Sequence, residues 1–512
     1  MKMKYIKYCL LAASISLGSC SSEYLDTLPT NETSPDTAFG STANVKMAIN
    51  GIAKIMTTQH LSSQGFNGEG TIKMYYGEYP GANFRVDLAG WAVIINGQYY
   101  ENINSIYNYY PWHYYYMIIS NANEIVARID GVDGPVTEKQ YLKAQALSYR
   151  AYAYTMLVQL YGYSWDKSQN GEFKALPLRL TPDQDKDLPL SSMKDVYATI
   201  YDDLDEAINL FTQANYTRKA NYEIDASVAH AIYARAALNK QDYPKAQAEA
   251  AMARAAYPLM SVADYKKGFS NPTGEWIWSS YGASDEQLYY YSYFAYIGYN
   301  SNASAVRNYP KRISKEFFET IPNTDIRKGL FLDPTGYDAS TYNATTGVAK
   351  NGSPMDQYVR DNYEFQSNAK VAAYMQLKIK NNDNPGVGNM NHFRSSEMVL
   401  IEAEAKLHTE GPAAAKAMLA ELNKDRDPNY DANAVADAKV FDEIVKYRGL
   451  ELWGEGFDWF DHKRWNKAIV RKSVEEGGNY NVSLAKTIEP TQGNNWTWKT
   501  PSKESDFNDA LE

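Results

Sequence analysis

Residues 226–258 read ASVAHAIYARAALNKQDYPKAQAEAAMARAAYP. Ala226–Asn239 and Tyr243–Ala256 are predicted as two helices joined by a short polar break, a helical hairpin. Alanines run along both, and small side chains let two helix axes approach closely. Tyr243 opens the second helix, and Pro258 stops it because proline cannot continue a helix.

The same texture recurs on both sides. Toward the C-terminus, Arg394–His408 and Pro412–Asp425 form another hairpin, and Val440–Gly454 follows as a further helix. Toward the N-terminus, Trp112–Ile129 carries Met117, Ile118, Ala122, Ile125 and Ile129 at three- and four-residue spacing. Glu138–Tyr161 ends at Gly162, Ser191–Phe211 starts on a serine cap, and Thr42–Thr58 is a first helix. Ala234, Asp242, Tyr243, Ala246, Ala253 and Pro258 fall at the spacing of a tetratricopeptide unit, and Ala403 and Ala415 repeat the Ala234–Ala246 interval. An ordinary antiparallel hairpin would also use alanines, so recurrence carries the reading more than any single match. The expected fold is mainly α, with stacked tetratricopeptide-type hairpins as a rigid scaffold.

Two stretches interrupt this pattern. Gln64–Tyr100 is rich in glycine, asparagine and aromatics, lacks a sustained helical period, and is read as a long structured loop region. Phe269–Asp383 is turn-rich and aromatic, with Glu275-Trp276-Ile277-Trp278 and a tyrosine run over Leu288–Tyr296. It is too long for a linker and is read as an irregular subregion folded onto the scaffold. Pro177, Pro182 and Pro189 punctuate the segment between two helices.

The first residues are an address. Met1–Lys7 is a basic head, and Tyr8–Leu17 is an apolar run about half as long as a membrane-spanning helix requires. Leu17-Gly18-Ser19-Cys20 resembles the lipobox of bacterial lipoproteins, which implies cleavage before Cys20 and acylation of its thiol. Ser21–Phe39 then reads as an extended tether. The chain has two cysteines, Cys9 and Cys20. Cys9 leaves with the leader and Cys20 is acylated, so the body is expected to hold no disulfide, thiolate nucleophile or cysteine metal site.

Composition narrows the partners. The net charge is −10, and losing Lys2, Lys4 and Lys7 with the leader leaves the body more acidic. An acidic surface without a basic stripe repels phosphate backbones, which disfavours nucleic acid. Apolar residues make up 44%, enough for a sizeable core. The chain holds 44 tyrosines beside 10 tryptophans and 16 phenylalanines; some of that excess is expected in the core, and a protein that stacks on ligands would also want it. No paired-histidine metal motif, nucleophile elbow, phosphate loop or dinucleotide fingerprint occurs, and no cofactor is expected. Asp425, Asp427, Asn429 and Asp431 alternate like the start of a calcium loop but lack its glycine and late glutamate. A glycosidase needs only two placed carboxylates, and 61 acids leave that class open.

A site that stacks on a ligand wants aromatic platforms with Asp, Asn or Arg beside them to hydrogen-bond its polar rim. In Gln64–Tyr100 the candidates are Tyr79, Asn83, Arg85, Asp87 and Trp91, from a pool that includes Tyr75, Tyr76, Asn96, Tyr99 and Tyr100. In the later stretch they are Tyr289, Tyr290 and Tyr293, with Tyr291 and Tyr296 in the pool. Trp91 is the leading single residue; the competing reading of each ring is plain core or plain surface. The tyrosines of Tyr107–Tyr116 crowd a helix start and read as core. Trp453, Phe457, Trp459, Phe460 and Trp465 read as packing residues.

Several segments resemble, in order, the SusD/RagB family of nutrient-binding lipoproteins. Cys20 followed by Tyr24-Leu25-Asp26-Thr27-Leu28-Pro29 is similar to the family's start, and Ala144–Tyr152 to its alanine-arginine helix. Leu176-Pro177-Leu178, Glu275–Trp278 and Arg394–Ala405 follow suit. The longest match is Tyr447–Trp465, YRGLELWGEGFDWFDHKRW, before a closing Trp498-Lys499-Thr500-Pro501 and Glu504. Tyr447 stands where the family usually has an acid, and His462 where leucine is common. The resemblance implies a leader over 1–19, a lipidated tether over 20–40 and one α-helical body over 41–512. That body would carry helical repeats over about 112–258 and 394–467 and an irregular ligand-binding subregion over about 269–383. It implies a non-catalytic, outward-facing outer-membrane lipoprotein. Such a protein would bind glycan, or in a minority of relatives peptide, for a SusC-like TonB-dependent transporter.

Overall fold

Side-chain caps mark the start of several helices. In the computed structural model, which describes residues 39–62, 65–87, 91–183, 186–282, 292–491 and 496–511, Ser41 accepts the Asn44 N–H and opens α1 (Thr42–Ile55). The leader, Cys20, the tether, Tyr289 and Tyr290 lie outside the described residues. α2 (Ile106–Arg128) begins before the Trp112 start read from periodicity. Ser105 caps it, and Pro111 sits inside it. A proline has no N–H to give the carbonyl four residues back. That carbonyl, on Tyr107, instead accepts the Tyr76 hydroxyl, so the helix survives its proline by borrowing a donor from another segment.

α3 (Val136–Tyr161), α4 (Met193–Ala214), α5 (Ala226–Asn239) and α6 (Tyr243–Arg254) follow, close to their expected bounds. The cap of α4 is Ser192, one residue past the serine read from sequence. Asp225 caps α5 by accepting the Val228 N–H at 3.1 Å. The C-terminal helices are α7 (Ser395–Thr409), α8 (Pro412–Asn423), α9 (Val440–Glu451) and α10 (Asp458–Trp465).

Each of α2 to α8 packs on its chain successor, and α6 packs on α7 across the long intervening stretch. The two groups of hairpins are therefore one continuous stack. Alanine makes the close approach: the buried positions of α6 are Ala246, Ala250 and Ala253. Charged clasps cross the same seams. Arg235 of α5 donates to Glu397 of α7 at 2.8 Å, and Arg254 of α6 reaches Glu402 of α7 and Glu421 of α8.

Gln64–Tyr100 departs from its reading as a loop. Gly68–Thr71 is a helical turn that runs into a π-helical turn over Ile72–Glu78, and every residue of 66–81 is buried. Glycines erase the periodic signal here and also permit the packing: a Cβ on Gly77 would lie 2.3 Å from the Gly456 carbonyl oxygen. Glu69 is the anchor. Its buried carboxylate accepts the hydroxyls of Tyr114 (3.1 Å), Tyr115 (3.0 Å) and Tyr152 (2.7 Å), which accounts for tyrosines as core residues of α2 and α3.

Four short strands tie the irregular parts together. β1 (Phe84–Arg85) pairs antiparallel with β3 (Arg312–Ile313), and β2 (Trp276–Ser279) with β4 (Asn391–Arg394). Beneath β4 lies a buried ionic network. Arg394 donates to Glu275 (2.7 Å), Glu451 (2.8 Å) and Glu455 (2.8 Å), and Lys378 to Glu455 (2.7 Å). Trp453, Trp459 and Phe460 are core residues, as read; Phe457 and Trp465 are half-buried.

Candidate ligand-binding face

Two segments more than two hundred residues apart meet through the β1–β3 ladder, with Phe84 opposite Ile313 and Arg85 opposite Arg312. Asp87 locks the junction. Both of its oxygens accept from Arg85 (2.8 and 2.9 Å), and one also accepts from Arg312 (3.0 Å). Burial, with Arg85 nearby, pushes the Arg312 guanidinium down to about 9 despite Asp87. Burial also lowers the adjacent Lys311 ammonium to about 7, and its Nζ donates to the carbonyls of Ala305 (2.7 Å) and Tyr309 (3.0 Å).

The far side of the same loop hangs on one residue. Arg471 donates to the carbonyls of Gly81 (2.8 Å), Pro80 (2.6 Å) and Ile95 (2.8 Å) and to Asn96 Oδ1 (3.0 Å). A single buried guanidinium therefore gathers both ends of the segment that carries Trp91.

Trp91 is half-buried and sits over an aromatic nest. Its ring lies edge-on to Tyr75 at 5.2 Å, tilted to Tyr296 at 6.0 Å and to Tyr79 at 6.4 Å. Tyr75 and Tyr296 are themselves edge-to-face at 5.5 Å, and the Tyr75 hydroxyl donates to the Tyr296 hydroxyl at 2.7 Å. Tyr296 comes from the tyrosine-rich stretch, so both aromatic segments singled out in the sequence contribute to one cluster.

The structure sorts the individual candidates differently. Tyr79 is 0% exposed and belongs to the core, because it is wedged between Tyr75 and Phe84. Arg85 is 2% exposed and is spent on Asp87. Asn83 is committed to Asp458 through its backbone N–H (2.7 Å) and its side-chain amide (3.0 Å). Tyr293 is buried, with its hydroxyl on the Gly454 carbonyl at 2.7 Å. These four offer no open stacking face or free rim in this conformation. Asn83, Asp87 (18% exposed at its side chain) and Trp91 are the half-exposed members of the described set, and Asn83 is held by Asp458. Lys311, Arg312 and Arg471 escaped the sequence reading, since a lone basic residue far along the chain carries no local signal of where it will fold.

A buried carboxyl pair lies behind the face. Burial, then the neighbouring Asp458, pushes Glu78 up to about 8, while Glu78 accepts the N–H groups of Gly456 (2.6 Å) and Phe457 (3.2 Å). The void beside them is about 20 Å³, with room for little more than a water.

A family model described as starch-binding associating with outer membrane matches residues 23–238, and one described as the SusD family matches residues 234–510. No curated protein matches the chain. A SusD-like carbohydrate binding protein from Bacteroides vulgatus superposes with a TM-score of 0.74 at 22% identity, covering 92% of this chain and 98% of that one. A SusD superfamily protein from Bacteroides thetaiotaomicron gives 0.73 at 20% identity, over 92% and 99% of the two chains. Another from Bacteroides vulgatus gives 0.73 at 21%, over 93% and 98%. At these identities the structural likeness speaks for the fold alone. The family model spans more than half the sequence and contains α7 to α10 with the YRGLELWGEGFDWF segment, so the chain belongs to the SusD family.

Proposed function

We propose that this protein is a lipid-anchored outer-membrane glycan-binding protein that captures ligand at the Trp91 face. It then passes the glycan unchanged to a SusC-like TonB-dependent transporter. The observation that carries the reading is the convergence of two distant aromatic segments on a half-exposed tryptophan backed by buried rings. Stacking on such a ring lets a sugar's apolar face shed water, while Asp87 serves its hydroxyls. Tyr289 and Tyr290 remain candidates for the same face. The description of one matching family model and the name of one structural neighbour support carbohydrate as ligand.

The Glu78–Asp458 pair is no candidate for glycan hydrolysis. Its void of about 20 Å³ is far below the roughly 300 Å³ from which ligand pockets start. Among the described residues no helix is long and apolar enough to cross a membrane, and the anchor reading rests on Leu17–Cys20. Cys20→Ala should abolish labelling by a fatty-acid analogue and release the protein from the membrane fraction. A variant that stays acylated refutes the anchor. Trp91→Ala should lose affinity for the glycan that the native protein retains on an affinity gel, and recovery of shortened glycan from pure protein would overturn the non-catalytic reading.

A further inference from the structure

A sizeable cleft runs beside α2. It is an open groove of about 620 Å³ between α2, the Arg179–Thr181 loop and the C-terminal segment Lys503–Phe507. Tyr109, Trp112, His113 and Tyr116 of α2 line its floor. That volume falls within the roughly 300–1,000 Å³ typical of small-molecule sites.

Phe507, on its rim, is 84% exposed. An exposed ring on a loose tail would mean little, but this tail is clamped on both sides of Phe507. Glu504 accepts from Trp112 Nε1 (3.0 Å) and from Arg179 Nη2 (2.9 Å). Asn508 exchanges two hydrogen bonds with the Leu188 backbone, at 3.0 and 2.9 Å, and donates to Glu504 at 2.9 Å. The fold therefore holds a large apolar ring out in water, against the usual preference for burial, beside a cleft of ligand size. Lys503 Nζ rests 4.7 Å from the centroid of the Tyr109 ring and brings donors to the same rim.

We infer that this groove is a second carbohydrate subsite, with Phe507 as a stacking platform and Lys503 and the Arg179–Glu504 pair as hydroxyl partners. The mixed lining suits a sugar, whose apolar face needs a ring and whose edge needs donors and acceptors. Two subsites on one molecule would let a long chain be held at both, which raises avidity without tightening either site.

The test titrates purified protein with cellohexaose, maltohexaose, xylohexaose and mannohexaose by calorimetry, using native protein, Trp91→Ala, Phe507→Ala and the double variant. For at least one sugar, Phe507→Ala should remove one class of sites, lowering its affinity at least about five-fold as expected for loss of an aromatic anchor. Trp91→Ala should leave that class in place. Melting temperatures check that Phe507→Ala is folded. Binding lost in Phe507→Ala but kept in Trp91→Ala supports the groove even if the Trp91 face fails. The inference falls if Phe507→Ala leaves every isotherm unchanged, if Trp91→Ala alone abolishes all binding, or if none of the four sugars binds.

Discussion

At the scale of the residue, Trp91 separates a stacking platform from a packing ring. Tyr75, Tyr79 and Tyr296 pack against it, and under the proposed function its remaining face takes the ligand. Removing the ring should cost about 1–3 kcal/mol of binding, roughly a five- to hundred-fold loss of affinity. Because Trp91 is half-buried, the same change should lower stability by only ~1–2 kcal/mol. A titration series on Trp91→Ala with parallel melting curves checks both; a collapse in melting temperature with unchanged affinity in the folded fraction would make it a core residue only. Trp91 was legible in the sequence as an aromatic in a non-periodic stretch. The fates of Tyr79 and Tyr293 were not, because tyrosine can bury its ring and still satisfy its hydroxyl, as Tyr293 does on Gly454.

At the scale of the element, two features can be tested. Arg471 gathers the carbonyls of Pro80, Gly81 and Ile95. Arg471→Met would leave those acceptors unpaired, at about 1–3 kcal/mol for each that water cannot reach. Hydrogen exchange over 79–96 should accelerate before any global unfolding, and ligand affinity should fall although Arg471 touches no ligand. Unchanged exchange there would show that the strand pairing suffices. The second feature is the alanine seam of α6, where Ala250 is fully buried and Met252 is 57% exposed. Ala250→Leu should destabilise by about 1–3 kcal/mol through overpacking, whereas Met252→Ala should stay within about 0.5 kcal/mol. Denaturant titration decides it, and equal effects would mean that α6 does not pack tightly. The hairpins were visible in the sequence because alanine spacing and prolines are local signals. The buried turn over Gly68–Glu78 was hidden because its glycines serve contacts with Tyr293 and Gly456, which no local pattern announces.

At the scale of the whole molecule, the irregular stretch and the helical stack are joined by buried charge. Burial alone would raise the Glu455 carboxyl, but Arg394 and Lys378 override it and hold it at about 2, against 4.5 when unperturbed. A carboxylate depressed in the fold adds stability above its unfolded value. Here the contribution is present above pH 4.5 and lost as pH falls toward about 2. The size is on the order of 3 kcal/mol. Glu455→Gln should therefore be clearly less stable than the native protein at neutral pH, and the gap should narrow at pH values below the unfolded carboxylate range. A gap independent of pH would show that Glu455 contributes by packing or neutral hydrogen bonds. The sequence by itself determined the helical hairpins, stops such as Gly162 and Pro258, and the family resemblance, because each rests on neighbours within a few tens of residues. Only the tertiary structure decided that α6 continues onto α7, that Trp91 and Tyr296 share one cluster, and which tyrosines face inward. Those outcomes depend on which distant surfaces exclude water together, and on where Glu69, Arg312, Arg394 and Arg471 find partners far along the chain to offset the cost of their burial.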